Sequence, residues 1–271
     1  VDCRSGGEIF VRVLIEKDAR AVAVRAASLV DARVRSHPRS VIGLAAGATP
    51  LAMYAELTDR HRALDLSRIT VFGLDEYLGL GADHPASCAQ TLRNHFIGKT
   101  GIAAAHVHLL DGTVQEDLAA YCDAYEELIR AAGGLDIQIL GLGVNGHVGF
   151  NEPGSGLAGH TRLVGLRRST RATNAPIFAP AEVPEAALSM GLSTIMGARR
   201  IILLATGTAK ADAVARMIEG PVSALVPASA LQLHPDAVVI LDEAAAAGLA
   251  LAEDYRLEAS ILMTRGGIDA T

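Results

Sequence analysis

The sequence predicts a single-domain α/β protein, a mostly parallel, Rossmann-like sheet with helices on both faces and a lid segment over one end. Three observations predict it. Short apolar, β-branched runs alternate with longer helical patterns along the chain, as in strand–helix–strand units that build a parallel sheet covered on both sides. No internal repeat, low-complexity tract or Pro/Ser-rich linker divides the 271 residues, so 1–271 reads as one domain. Unusual polar residues follow four of the strand candidates, and open α/β sheets bind ligands beyond the carboxyl ends of their strands.

The strand candidates are Ile9–Leu14, Val41–Ala45, Ile69–Leu74, Ile137–Leu142, Ile201–Ala205 and Val238–Leu241. Each is a short apolar run bounded by Gly or charge. Helical patterns fall over Lys17–Ser36, Leu51–Arg60, Ser87–Phe96, Gln115–Ala132, Ala209–Glu219 and Ala244–Tyr255. Between Asp117 and Ala132, Leu118, Tyr121, Tyr125 and Leu128 recur at a helical period. Pro153–Pro184 breaks the alternation. It is rich in Gly, Pro, Ser and Thr and carries several Arg, and long connections in compact domains are often binding loops or lids.

Composition narrows the function. Half the residues are apolar and a fifth are charged, the balance of a folded globular chain. With no Trp and 4% aromatics, the core must be built from Ala, Val, Leu and Ile. The net charge of −6, without a Lys/Arg stripe, argues against nucleic acid. An anionic small molecule stays open, because local donors outweigh a weak global field. Cys3, Cys88 and Cys122 are odd in number, widely spaced and contain no CxxC. That argues against a disulfide framework and a zinc site and fits a reducing, cytoplasmic setting. No apolar run reaches the roughly 18 residues a membrane helix needs, and VDCRSGGEIF has no apolar signal-peptide core.

Chemistry can sit at four strand ends. In GLAAGATPLAMY (43–54), Gly47 opens a turn and Thr49-Pro50 is expected to cap and start a helix. Backbone N–H groups at such a turn favour an anion. In GLDEYLGL (73–80), Asp75 and Glu76 are adjacent on extended backbone, so their side chains point opposite ways and one can enter a cleft while the other does not. In LGLGVNGHVGFNEPGS (140–155), five glycines crowd Asn145, His147, Asn151 and Glu152 onto an irregular loop. A histidine five residues before an acid suits a base oriented by a carboxylate. In LATGTAKA (204–211), Lys210 lies in the first turn of a helix. That position opposes the helix dipole unless an anion is near.

In order along the chain stand G-x-x-x-G-x-T-P (Gly43–Pro50), L-D-E-Y (Leu74–Tyr77), NGHVGFNEPGS (Asn145–Ser155), T-R-x-x-N (Thr170–Asn174), G-x-x-K (Gly207–Lys210) and S-x-L-Q-L-H-P (Ser229–Pro235). Together they resemble the glucosamine-6-phosphate deaminase/isomerase family from about Val41 to Asp242. The resemblance implies conversion of glucosamine 6-phosphate to fructose 6-phosphate and ammonia. It implies that His147, supported by Glu152 and by a neutral Asn145, moves a proton during ring opening, and that Asp75 carries a proton from C2 to C1. It places Gly47, Ala48, Thr49 and Lys210 at the phosphate, with Arg171 a further candidate. It implies no cofactor and no metal.

The chain departs from the family where phosphate donors are common. Ala46 and Ala48 stand in place of hydroxyl residues, Pro176 in place of an arginine, and Gly73 in place of an asparagine. These departures bear on substrate identity more than on reaction type. Arg162 matches a basic position of allosterically activated members, whereas Val164 falls where a second basic residue is frequent; activation by N-acetylglucosamine 6-phosphate is not expected. Alternatives are a deaminase for galactosamine 6-phosphate, a 6-phosphogluconolactonase-like hydrolase and a non-catalytic sugar-phosphate sensor. A monomer and a homo-oligomer both remain open.

Overall fold

The computed structural model describes residues 11–59 and 64–264. Its strands in chain order are β1 (Arg12–Glu16), β2 (Val41–Leu44), β3 (Thr70–Gly73), β4 (Asp75–Tyr77), β5 (Val107–His108), β6 (Ile137–Gly141), β7 (Arg162–Gly165), β8 (Ala186–Ser189), β9 (Arg200–Ala205) and β10 (Ala237–Asp242). Its helices are α1 (Ala19–Ser36), α2 (Ala48–Asp59), α3 (Cys88–His95), α4 (Leu118–Ala131), α5 (Arg168–Phe178), α6 (Leu192–Met196), α7 (Ala211–Ile218), α8 (Glu243–Ala246) and α9 (Ala252–Thr264). A seven-stranded sheet runs β1-β10-β9-β6-β2-β3-β5, and every pairing in it is parallel. All six expected strands belong to it. Ile9 and Phe10, and Arg60 at the end of an expected helix, lie outside the described residues.

Alternation along the strands builds two apolar layers. Val13, Val41, Phe72, Leu140, Leu203 and Val239 face α4, α6, α7 and α8. Their sequence neighbours Leu14, Ile42, Val71, Ile139, Ile202 and Ile240 face α1, α2, α3 and α9. Nearly all of these side chains are fully buried. Each contributes about 1.5–3 kcal/mol relative to exposure, which is why strands of four to six residues suffice. Gly43 in β2 is required by the packing. Its neighbour across the ladder is Gln138, and a Cβ on Gly43 would lie 2.0 Å from the Gln138 Oε1.

The strand order also fixes where a ligand can sit. From β2 the chain proceeds outward through β3 to β5, and from β6 it proceeds the other way through β9 to β10. The reversal falls between neighbours β2 and β6, the crevice position of doubly wound sheets. The turns following these two strands are 45–47 and 142–147.

Several local expectations are corrected. The segment expected to be a lid contains β7 and α5, and its β7 joins β4 and β8 in a three-stranded antiparallel sheet in the order β4-β8-β7. Tyr77, Phe150, Leu166, Phe178, Val183 and Ala187 pack together beneath it. Thr49 does not cap α2. The helix already includes Ala48, and the Leu51 N–H donates to the Gly47 carbonyl. In α4 the buried positions are Cys122, Tyr125 and Ile129, with Leu118 and Tyr121 packed against the same core; of the expected stripe only Leu128, 45% exposed, faces away. The helix expected over 244–255 is two helices. Gly248 lies against the Ala211 carbonyl, and the Glu219 carboxylate accepts from the Ala250 and Leu251 N–H groups at 2.9 Å each, so α9 starts afresh there.

Candidate active site

A cleft of about 610 Å³ opens at the crevice between β2 and β6. It is walled by the turns after β2, β3, β6 and β9 and covered on one side by α5. Asp75, His147, Gly47, Ala48, Thr49 and Lys210 all line it. Sequence positions spread over more than half the chain are thus brought to one place by the parallel sheet.

Asp75 and Glu76 separate as the extended backbone requires. Asp75 faces the cleft. Glu76 is 1% exposed and turns away. Its carboxylate accepts from the Ser87 hydroxyl at 2.6 Å and from the N–H groups of Tyr77, Cys88 and Ala89 at 2.8, 3.0 and 2.8 Å. A carboxylate at the start of α3 is favoured by the helix dipole and satisfies its free donors. This clamp fixes α3 against β4 and brings Cys88 to Asp75. Burial pushes the Asp75 carboxyl up to about 7, with the Cys88 thiol opposing the shift and the nearby Glu76 charge adding to it. Burial, with the negative charges of Asp75 and Glu76, pushes the Cys88 thiol well up, so it stays protonated beside Asp75.

Across the cleft, His147 is held by a relay. The Asn145 Nδ2 donates to Glu152 Oε2 at 2.9 Å. Its Oδ1 lies 2.7 Å from His147 Nδ1 and accepts from the His147 N–H at 3.1 Å. Because Glu152 as a carboxylate can only accept, the Asn145 amide orientation is fixed and its Oδ1 must receive the proton from Nδ1. The imidazole Nε2 is then left bare. Glu152 and Asn145 were both expected to support His147; Glu152 Oε2 lies 3.7 Å from Nδ1, and Asn145 makes the hydrogen bond to each. Burial lowers the His147 pKa, Glu152 pulls it back up, and Lys210 lowers it further. The loop shape depends on Gly143, where a Cβ would lie 2.2 Å from His147 Cε1, and on Gly146, which adopts φ +87°.

The third wall holds the anion-type features. Gly47–Thr49 form the start of α2, whose first N–H groups have no partner within the helix. Lys210 ends a 3₁₀ turn at the start of α7, and burial lowers its pKa. Thr206 lies opposite, with its hydroxyl 3.3 Å from that of Thr49. Ala46 and Ala48 present no hydroxyl.

Arg171 is not brought to this wall. It lies on α5 and pairs with Glu185 at 3.1 Å. Arg167 donates to the Pro153 carbonyl, and Arg162 to Asn151. Among the described residues lining the cleft, Lys210 is the one Lys or Arg. Sequence reasoning passed over Cys88, Thr206 and the α5 residues Ser169, Thr173 and Asn174, all of which line the cleft. Asn174 donates to the Tyr77 hydroxyl at 2.8 Å and so ties α5 to β4. The retained T-R-x-x-N motif was the available signal for Asn174, whereas nothing in the sequence marked Cys88. Among the described residues no group of three His, Cys, Asp or Glu side chains is placed to hold a metal ion. No helix among them is long and apolar enough to cross a membrane.

Fold and cleft together define a doubly wound α/β protein with a cleft at the switch point of its sheet, lined by Asp75, His147, Lys210 and the Gly47–Thr49 turn. The particular family is reached by comparison. The chain belongs to the family described as glucosamine-6-phosphate isomerases/6-phosphogluconolactonase, whose profile matches residues 16–240. It is 47% identical to the glucosamine-6-phosphate deaminase of Arthrobacter sp. (strain FB24) over 91% of this chain and 95% of that protein. It is 45% identical to that of Shewanella loihica over 91% and 92%. A solved monomeric glucosamine-6-phosphate deaminase superposes with a TM-score of 0.84 at 38% identity, covering 88% of this chain and 99% of that one. The 6-phosphogluconolactonase of Trypanosoma cruzi shares the fold at a TM-score of 0.72 and 20% identity, covering 91% and 100%.

Proposed function

We propose that this chain is a glucosamine-6-phosphate deaminase, converting glucosamine 6-phosphate and water to fructose 6-phosphate and ammonia. The observation that carries the reading is the pairing of Asp75, a carboxyl held near neutrality inside the cleft, with the His147–Asn145–Glu152 relay opposite. A general base works best with a pKa near the operating pH. Isomerisation needs one base that can take a proton from carbon and give it back.

In this mechanism the bare Nε2 of His147 takes the C1 hydroxyl proton as the ring C1–O5 bond breaks, and the proton passes to O5. The C2 proton becomes acidic once C1 is an aldehyde. Asp75 removes it, the electron pair forms the C1–C2 double bond of an enolamine as the C1 carbonyl oxygen takes a proton from water, and Asp75 returns its proton to C1 while the nitrogen releases one to water. The C2–N bond is now an imine, and water adds to it and expels ammonia. Asn145 and Glu152 stabilise the imidazolium that forms when His147 holds the proton. The C1 carbonyl of the opened sugar supplies the electron sink, and the nitrogen lone pair then drives protonation at C1. The phosphate is held by the Gly47, Ala48 and Thr49 turn and by Lys210. Arg171 acts through its Glu185 pair as a brace of α5, and α5 with β7 closes over the bound sugar as a lid. The setting is cytoplasmic, in keeping with Cys88 and Cys122, which are buried and free. The chain works as a monomer, as its 38%-identical relative does.

The test is ammonia release from a panel of glucosamine 6-phosphate, galactosamine 6-phosphate and unphosphorylated glucosamine, with 6-phosphogluconolactone hydrolysis in parallel. The reading expects ammonia from the first with the highest kcat/KM. Preference for galactosamine 6-phosphate, lactone hydrolysis alone, or binding without turnover would each replace it.

A further inference from the structure

The anion wall of the cleft has one cationic side chain, Lys210, among its described residues. A phosphate monoester is largely a dianion near neutral pH, so most of its oxygens must be met by neutral donors. The α2 turn offers the N–H groups of its first residues, Ala48 and Thr49, and its donors end there. Pro50 has no N–H, and the Leu51 N–H is already bonded to Gly47. The N–H of Gly207, at the turn that carries Lys210, is also taken. Both Asp242 carboxylate oxygens accept from it at 3.0 Å, and Asp242 accepts from the Ala245 N–H at 2.8 Å. Asp242 thereby pins the turn after β9 while Gly207 adopts φ +87°. The residue just before it, Thr206, is left with its hydroxyl in the cleft.

That hydroxyl lies 3.3 Å from Thr49 Oγ1, beyond the usual 2.5–3.0 Å for an O–H···O bond. The weak contact is easily exchanged for a better acceptor. The two threonines belong to turns after strands that are not neighbours, since β6 lies between β2 and β9. They meet over the carboxyl end of β6, whose last residue is Gly141.

We propose that Thr206 is a substrate-binding residue, its hydroxyl acting with that of Thr49 to bridge the phosphoryl oxygens opposite Lys210 and replacing donors that Ala46, Ala48 and Pro176 do not offer. The proposal rests on the phosphate reading of this wall given above. On binding, each hydroxyl gives up the other as partner and donates to a phosphoryl oxygen. Phosphorylated and unphosphorylated sugars are thereby told apart at a pair of neutral side chains.

The experiment compares wild type, Thr206→Val, Thr206→Ala and Thr206→Ser. It measures kcat and KM on glucosamine 6-phosphate and the dissociation constant of inorganic phosphate. A lost hydrogen bond to a charged group is expected to raise KM and the phosphate constant by about tenfold. This holds in both Val and Ala variants, with kcat within about twofold and Ser close to wild type. If folded Val and Ala variants keep the wild-type KM and phosphate constant, or lose kcat alone, the proposal is overturned. Wild type that binds phosphate yet releases no ammonia from any amino-sugar phosphate would overturn the deaminase reading. The phosphate constants of the variants would still decide the role of Thr206.

Discussion

Replacing Asp75 by Asn tests the base and the burial that creates it in one protein. The carboxyl has an ordinary value of 3.8 and is pushed up to about 7 in the fold, burial being the largest cause. Between these values the unfolded chain has released a proton that the folded chain keeps. Folded-state stability therefore falls as pH rises through this window. About three units at 1.36 kcal/mol each set an upper bound of about 4 kcal/mol. Screening through the open cleft reduces it to about 2–3 kcal/mol. The amide is neutral throughout and its oxygen still accepts from the Cys88 thiol. Asp75→Asn is therefore expected to equal wild type near pH 4, to gain relative stability up to pH 7, and to stay about 2–3 kcal/mol more stable above pH 8. Urea unfolding at pH 4, 5, 6, 7 and 8 measures the difference, and the same variant should lose about 10²–10⁴-fold in kcat. A stability difference that does not change with pH would refute the burial argument. Wild-type exchange of the C2 proton with solvent in the variant would refute the role as base.

Three further expectations follow from the packing around the site. Asn145→Leu removes the link between Glu152 and His147 while leaving both in place. It should lower kcat by about 10–100-fold on cyclic substrate and much less on an open-chain analogue; equal losses would break the assignment of the relay to ring opening. Glu76→Ala leaves the first N–H groups of α3 and the Ser87 hydroxyl without their acceptor and should cost about 3–5 kcal/mol in urea unfolding, whereas a loss under about 1 kcal/mol would mean that water replaces the clamp. Gly43→Ala drives a methyl into Gln138 and should cost about 2–3 kcal/mol, most of it recovered in the double variant with Gln138→Ala; no recovery would place the strain elsewhere.

The sequence by itself determined the parallel sheet and marked several of the groups that line the cleft, Asp75, His147, Thr49 and Lys210 among them. The β-branched runs at Val41, Ile137, Ile201 and Val238 read as strands because both of their faces are buried, so local composition already records the tertiary position. Asp75 and Glu76 could be separated from alternation alone. The motif from Asn145 to Glu152 could be read as a histidine with acidic support because its residues are neighbours in the chain. The antiparallel sheet was not legible. β7 has only four residues with no fully buried position, and β4 is three residues long; each is a strand only because its partner is there. The same holds for the site's finer parts. Asn145 stands between His147 and Glu152 by the path of one loop. Arg171 is taken away from the cleft by Glu185 fourteen residues on. Thr206 meets Thr49 across 157 residues of sequence and over a strand that ends in glycine. Residue type and periodicity are local quantities and survive in the sequence. Which side chain ends up within 3 Å of another depends on how separate turns converge, and in this protein the tertiary structure decided that.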